Sequence, residues 1–118
     1  MNDSFCERPW GTWLVLAMQP GYKVKKLTIN PGQSMSKQYH THRDEYWVVL
    51  QGNGEVTVDA SMVDPHFEPW VHELEKGYHL HIPKQVIHKC INTGTEPLII
   101  IETQVGEITE EGDIVRLD

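Results

Sequence analysis

Seven of the 118 residues are histidines, and they are unevenly placed. His40 and His42 stand beside Gln38 and Glu45, while His79, His81 and His88 form a second group further along the chain. The first group reads Gly32, five residues, Gln38, one residue, His40, four residues, Glu45, six residues, Gly52. The second reads Gly77, five residues, Pro83, four residues, His88, three residues, Asn92. Two imidazoles, a carboxylate and an amide oxygen form a borderline-to-hard donor set that suits a divalent cation at roughly 2.0–2.2 Å. Three or four protein ligands leave coordination positions for water or substrate, the pattern of a catalytic rather than a structural site.

Such a site needs strands to position it. Residues two apart on a strand share a face, so Gln38 and His40 point the same way, and so do His40 and His42. A turn over Thr41–Asp44 lets Glu45 approach from the next strand, sharing a face with Trp47 and Val49. His88 must then arrive from another part of the sheet. The sequence supplies these elements as short alternating runs: Thr12–Met18, Tyr22–Ile29, Gln38–Thr41, Glu45–Leu50, Glu55–Val58, His79–Ile82, His88–Asn92 and Leu98–Thr103. Gly/Pro/Asn clusters such as Asn30-Pro31-Gly32 and Gly52-Asn53-Gly54 separate them with tight-turn chemistry. The segment His66–Gly77 could hold a short helix, but Pro65 and Pro69 favour an irregular excursion. Short strands at this spacing with almost no helix predict an all-β antiparallel sandwich or barrel.

Composition narrows the function further. A chain of this length buries about two thirds of its unfolded surface, enough for one domain, taken as residues 1–118. The net charge of −7 argues against general nucleic-acid binding, which needs a surplus of Lys and Arg. The apolar run Trp13–Met18 is far short of the ~20 residues of a spanning helix, so no membrane partner is expected. It also lacks the flanks of a secretory signal. Cys6 and Cys90, isolated and without CxxC spacing, read as reduced thiols of a cytoplasmic protein.

Basic residues stand out against the acidic whole. Strand alternation puts Lys23, Lys25, Leu27 and Ile29 on one face. If the two aliphatic residues face the core, Lys25 faces inward, where its charge calls for an anion; the alternative is a side chain that snorkels out to solvent. Arg8 and Arg116 near the termini offer planar forks suited to phosphate, with surface pairing of Arg116 to Asp113 or Asp118 as the competing role. Lys37 and Arg43, flanking the histidine motif, read as solvated loop residues. Trp10, Trp13, Trp47 and Trp70 read as packing residues, with Trp47 also placed to wall a pocket. The alternate face of that strand, Tyr46, Val48 and Leu50, suits a second sheet or a second subunit.

The two spaced motifs resemble the paired motifs of the cupin superfamily, with Gln38 standing where many cupins have their first histidine. The Gln38-Tyr39-His40 pair is similar to that of phosphomannose isomerases. The likeness extends over Arg8-Pro9-Trp10-Gly11, Gly21-Tyr22-Lys23-Val24-Lys25 and Gln38 to Trp47. It ends over Gln104-Val105-Gly106-Glu107 and Glu111-Gly112-Asp113-Ile114-Val115-Arg116. Together these resemble the C-terminal isomerase domain of bifunctional mannose-6-phosphate isomerase/mannose-1-phosphate guanylyltransferases, of which the nucleotidyltransferase part is not represented. The resemblance implies a cupin-type jelly-roll barrel of two antiparallel sheets and interconversion of mannose 6-phosphate and fructose 6-phosphate. It implies one divalent ion, zinc first and manganese, nickel, cobalt or iron as alternatives, on Gln38, His40, Glu45 and His88. The Gln38/His40 register matches the family spacing to both Gly32 and Glu45; the His40/His42 register is the alternative. A sugar phosphate would meet Arg8, Lys25 and Arg116, with His42 or Lys25 as the catalytic base, in a homodimer. The chain departs from the pattern in a longer Asp59–Lys76 segment, in Gln85 where a glycine is usual, and in His79 and His81. His66 and His72 read as loop residues, and His79 and His81 as pocket wall or strand surface. Two other readings stand beside the isomerase: an iron-dependent dioxygenase, and a sugar-binding module that has lost its chemistry.

Overall fold

The computed structural model describes residues 4–107 and 111–118. Its strands are β1 (Phe5–Arg8), β2 (Gly11–Gln19), β3 (Tyr22–Ile29), β4 (Gln38–His40), β5 (Arg43–Gln51), β6 (Gly54–Asp59), β7 (Trp70–Leu74), β8 (His79–Ile82), β9 (Ile87–Asn92), β10 (Leu98–Gly106) and β11 (Ile114–Arg116). A single 3-10 turn, Glu111–Asp113, precedes β11. Two antiparallel sheets result, ordered β1-β2-β3-β10-β5-β8 and β11-β4-β9-β6-β7. This is the jelly-roll architecture expected from the sequence.

The register of the three central strands explains where a cavity can form. Leu27 pairs with Ile100, which pairs in turn with Val49, and all three are buried. Two residues along, the same inward row holds Lys25, Glu102 and Trp47; a further two along, it holds Lys23, Gln104 and Glu45. Each strand therefore starts aliphatic at one end and turns charged at the other. One half of the barrel closes as an apolar plug with Leu98, Ile29, Val56 and Leu74. The other half cannot close dry, because buried charges need partners.

Three strands depart from the expectation. Trp70–Leu74 is a strand rather than a helix or an excursion: it pairs residue by residue with β6, and the ladder holds Val71 and Trp70 despite Pro69 at its mouth. Trp70 is exposed, not packed in the core. The terminal strands β1 and β11 are four and three residues long, too short to show a period, and exist because they find partners in β2 and β4.

Gln85 has φ 64°. Its backbone amide donates to the His40 carbonyl, so this turn also fixes the strand that carries the histidine. Left-handed backbone costs a non-glycine residue about 1–2 kcal/mol, partly offset by glycine's greater unfolded freedom of about 0.5–1 kcal/mol. Gln85→Gly should therefore raise stability by roughly 0.5–1 kcal/mol in chemical denaturation, with the fold unchanged.

Candidate metal centre and substrate cavity

His40, Glu45 and His88 meet inside the barrel, each offering a donor atom, with all three atoms within 4.8 Å of one another. All three residues are buried. His40 Nε2 lies 2.8 Å from Glu45 Oε2, and His88 Nε2 lies 3.8 Å from Glu45 Oε1. The His88 Nδ1–H donates to the Val86 carbonyl at 3.0 Å, which fixes the tautomer and turns the Nε2 lone pair toward the cluster. Gln38 is the register partner of His88 on the neighbouring strand and lines the same cavity. Its amide nitrogen donates to the Ser36 carbonyl at 3.3 Å, leaving the amide oxygen as the end offered to a cation. The residues present fit a divalent ion: converging buried N and O donors, one imidazole already held by its outer nitrogen.

The electrostatics agree. Burial alone would raise the Glu45 carboxyl pKa, but the His40 hydrogen bond and the charges of His40, His88 and Arg43 hold it well below the ordinary carboxylate range. Burial, partly opposed by the Glu45 charge and the Val86 bond, pushes the His88 imidazole down, favouring the neutral form that ligates metals.

Arg43 corrects the sequence reading. It is 2% exposed rather than solvated, and its Nε and Nη2 each donate to Glu45 Oε2 at 3.3 Å. Arg43 opens β5 two residues before Glu45, so alternation points it inward. Trp47 Nε1 donates to Glu45 Oε1 at 3.1 Å, and its ring meets His88 edge-on, so this tryptophan backs the cluster rather than walling the cavity. Asp113 accepts from the Thr41 amide and hydroxyl and from the His42 amide, at 3.2, 2.6 and 3.0 Å, bracing the bend between His40 and Glu45.

That bend also decides between the two histidine registers. The strand ends at His40, the chain turns, and His42 is exposed and does not line the cavity. The expectation that His42 supplies the base therefore has no geometric footing. Alternation would have carried His42 inward only if the strand had run on.

The cavity around the cluster has a volume of about 410 Å³. Arg8, Lys25, Arg43, Lys89 and Arg116 all line it, a local cationic wall in an acidic chain. Lys25 is 3% exposed with its Nζ 4.0 Å from the centre of the Trp13 ring, so it does not snorkel out to solvent. Asp118 is bonded to the Lys37 amide and to Lys89, and Asp113 to the bend, so neither acid suggested as a surface partner of Arg116 is spent on it. Glu102, which the sequence reading did not single out, and Gln104, quoted there only as part of a motif, also face the cavity. They continue the inward row of Leu98 and Ile100, and an extension of that alternation by four residues would have found them. Burial and the Glu45 charge push the Glu102 carboxyl up to about 8, against the opposing charges of Lys25 and Arg43.

The remaining histidines lie elsewhere. His79 and His81 are exposed on the edge strand β8, with His81 bonded to Asp44 and stacked on Tyr46. His66 is an exposed loop residue, while His72 lies on β7 and is hydrogen-bonded to the Tyr78 hydroxyl.

Comparison with known proteins matches residues 2–118 to the family described as mannose-6-phosphate isomerase, C-terminal. The chain belongs to this family. It is 38% identical over 111 residues to the alginate biosynthesis protein AlgA of Pseudomonas putida, covering 94% of this chain and 21% of that protein. It is 36% identical over 109 residues to a mannose-1-phosphate guanylyltransferase of Escherichia coli K12, covering 92% of this chain and 21% of that one. The chain thus spans about a fifth of the length of these relatives. Among solved structures, oxalate decarboxylase of Lactobacillus farciminis shares the fold with a TM-score of 0.81, at 21% identity over 96% of this chain and 33% of that one. The capsular polysaccharide assembling protein CapF of Staphylococcus aureus superposes with a TM-score of 0.79, at 18% identity over 97% and 34%.

Within the family pattern, the structure separates scaffold from site. Asn92 of the second motif bonds the Ile29 and Glu96 carbonyls and the Gly94 amide, each at 2.8 Å, and so ties a turn to β3. Gly77, with φ 88°, makes the bend before β8. The Asp59–Lys76 segment holds the β6–β7 connection, and its His66, Trp70 and His72 do not line the main cavity.

Proposed function

We propose that this domain is a metal-dependent sugar-phosphate isomerase interconverting mannose 6-phosphate and fructose 6-phosphate. The observation that carries the reading is a buried His–Glu–His cluster sharing one cavity with a cationic wall, in a domain of this family. Gln38, His40, Glu45 and His88 would hold the ion, zinc first, with manganese, nickel, cobalt or iron as alternatives. When bound, it supplies Lewis-acid stabilisation of negative charge developing on the sugar's C1 and C2 oxygens. Arg8, Lys25 and Arg116 would hold the phosphate, Arg8 and Arg116 by planar forks and Lys25 as a charge seated over Trp13. The cavity's size suits a hexose phosphate.

The test is conversion of mannose 6-phosphate by the purified chain with Zn²⁺ or Mn²⁺, followed by coupled detection of fructose 6-phosphate. Turnover is expected, with His88→Ala and Gln38→Ala each reducing it at least a hundredfold. Absence of turnover on any hexose phosphate contradicts the isomerase reading. Oxygen consumption by the iron-loaded chain would point to a dioxygenase instead. Binding without turnover at full metal occupancy would point to a sugar-binding module.

Two further expectations belong to this reading. Self-association would use the outer face of the six-stranded sheet, where Tyr46, Val48 and Leu50 are exposed. A cytoplasmic setting fits the substrate and the free thiols Cys6 and Cys90, and among the described residues no helix is long and apolar enough to cross a membrane.

A further inference from the structure

An aldose–ketose isomerisation needs a group that lifts a proton from one carbon and returns it to the next. His40, Glu45 and His88 are engaged with one another, and Asp118 at the cavity rim is bonded to Lys37 and Lys89. Lys25 Nζ is seated over the Trp13 ring. One carboxyl among the described lining residues remains for acid–base work. Glu102 is 4% exposed, opens on the cavity, and lies in register between Lys25 on β3 and Trp47 on β5.

A neighbour aims it. Gln104, fully buried two residues along the same inward row, donates its amide hydrogen to Glu102 Oε1. The other end of that amide, Gln104 Oε1, is a buried acceptor without a protein partner and belongs to a residue lining the same cavity. Buried acceptors are rarely left unmet.

We infer that Glu102 is the catalytic acid–base residue of the isomerisation, with Gln104 positioning its carboxyl. The assignment rests on the isomerase reading above. The Glu102 carboxylate takes the proton from C2 of the open-chain aldose; the C–H electron pair becomes the C1–C2 double bond, and the carbonyl pair moves to O1. O1 gains one proton as O2 gives one up, C2=O2 forms, and the double-bond pair takes the Glu102 proton at C1. One hydrogen has moved between carbons and one between oxygens, without oxidant or reductant.

The experiment compares the full-length wild type with Glu102→Gln and Glu102→Asp, metal-loaded, on mannose 6-phosphate. In E102Q the turnover rate should fall by roughly two to four orders of magnitude, with KM, metal content and mannitol 6-phosphate affinity within threefold of wild type. Loss of solvent deuterium uptake at the transferred carbon should accompany it, while E102D, which keeps a carboxyl, should recover part of the rate. Retention of more than a tenth of the wild-type turnover rate by E102Q overturns the assignment alone. So does an equal loss in E102D and E102Q together with lost metal or ligand binding, which would mark a structural role. Failure of the wild type to convert the sugar while binding metal overturns the isomerase reading and this assignment with it.

Discussion

Glu45→Ala should lower thermal stability by about 3–5 kcal/mol, or on the order of 10–20 °C in Tm, and abolish metal binding. The magnitude follows from what the carboxylate holds. It faces His40 and His88, and accepts from the Arg43 guanidinium and the Trp47 indole, in a place that is 1% exposed. Removing it leaves Arg43 buried without that counter-charge, and truncating one partner of a buried pair costs far more than the pair contributes. Glu45→Gln separates the two consequences: the near-isosteric amide keeps the packing and part of the hydrogen bonding, yet should lose metal affinity by more than a hundredfold. Differential scanning calorimetry of both variants and metal titration of E45Q check this. An E45A variant as stable as wild type would mean that the carboxylate is not the hub of the cluster.

Gly11→Ala should cost about 3–5 kcal/mol, through backbone strain and overpacking together. Gly11 has φ 152°, and a Cβ there would lie 1.9 Å from the Thr28 carbonyl oxygen, a backbone atom that cannot step aside. The close approach also shapes the wall of the cavity. Gly11 pairs with Ile29 on one side and Arg8 on the other, so it holds the Arg8-Pro9-Trp10 corner over the cavity mouth. Gly21 is the control: its φ is 91°, but its Cβ would meet nothing within 4 Å. Gly21→Ala should therefore cost about 1–2 kcal/mol from backbone strain alone. Urea denaturation of the pair reads the difference, and equal losses would show that the contact with β3 is not what restrains Gly11.

The convergence of these side chains was legible because period-two alternation and motif spacing act together. Gln38, His40, Glu45 and His88 lie where strand geometry sends them, and β3 runs from Tyr22 to Ile29 as its alternation says. The misses have physical causes. His42 follows the same alternation in the sequence, but the strand ends before it, and no residue pattern marks that end as firmly as Asp113 does from 71 residues away. Arg43 was read by its charge, although its parity with Glu45 decides its side. Glu102, and the inward placement of Gln104, were hidden in the opposite way. Both residues sit at the polar end of an aliphatic run, where a strand is expected to be leaving the core, and their burial depends on cations supplied by β3 and β5. The strands β1, β7 and β11 carry too little periodicity to announce themselves and are made by their partners.

The central claim is that the Gln38, His40, Glu45 and His88 side chains clasp one divalent cation inside the barrel. Elemental analysis of the purified chain, after dialysis and with His88→Ala alongside, tests it most directly. Close to one transition-metal ion per wild-type chain is expected, and almost none in the variant. A metal-free wild type that takes up neither zinc nor manganese on titration, or equal occupancy in both proteins, would contradict it.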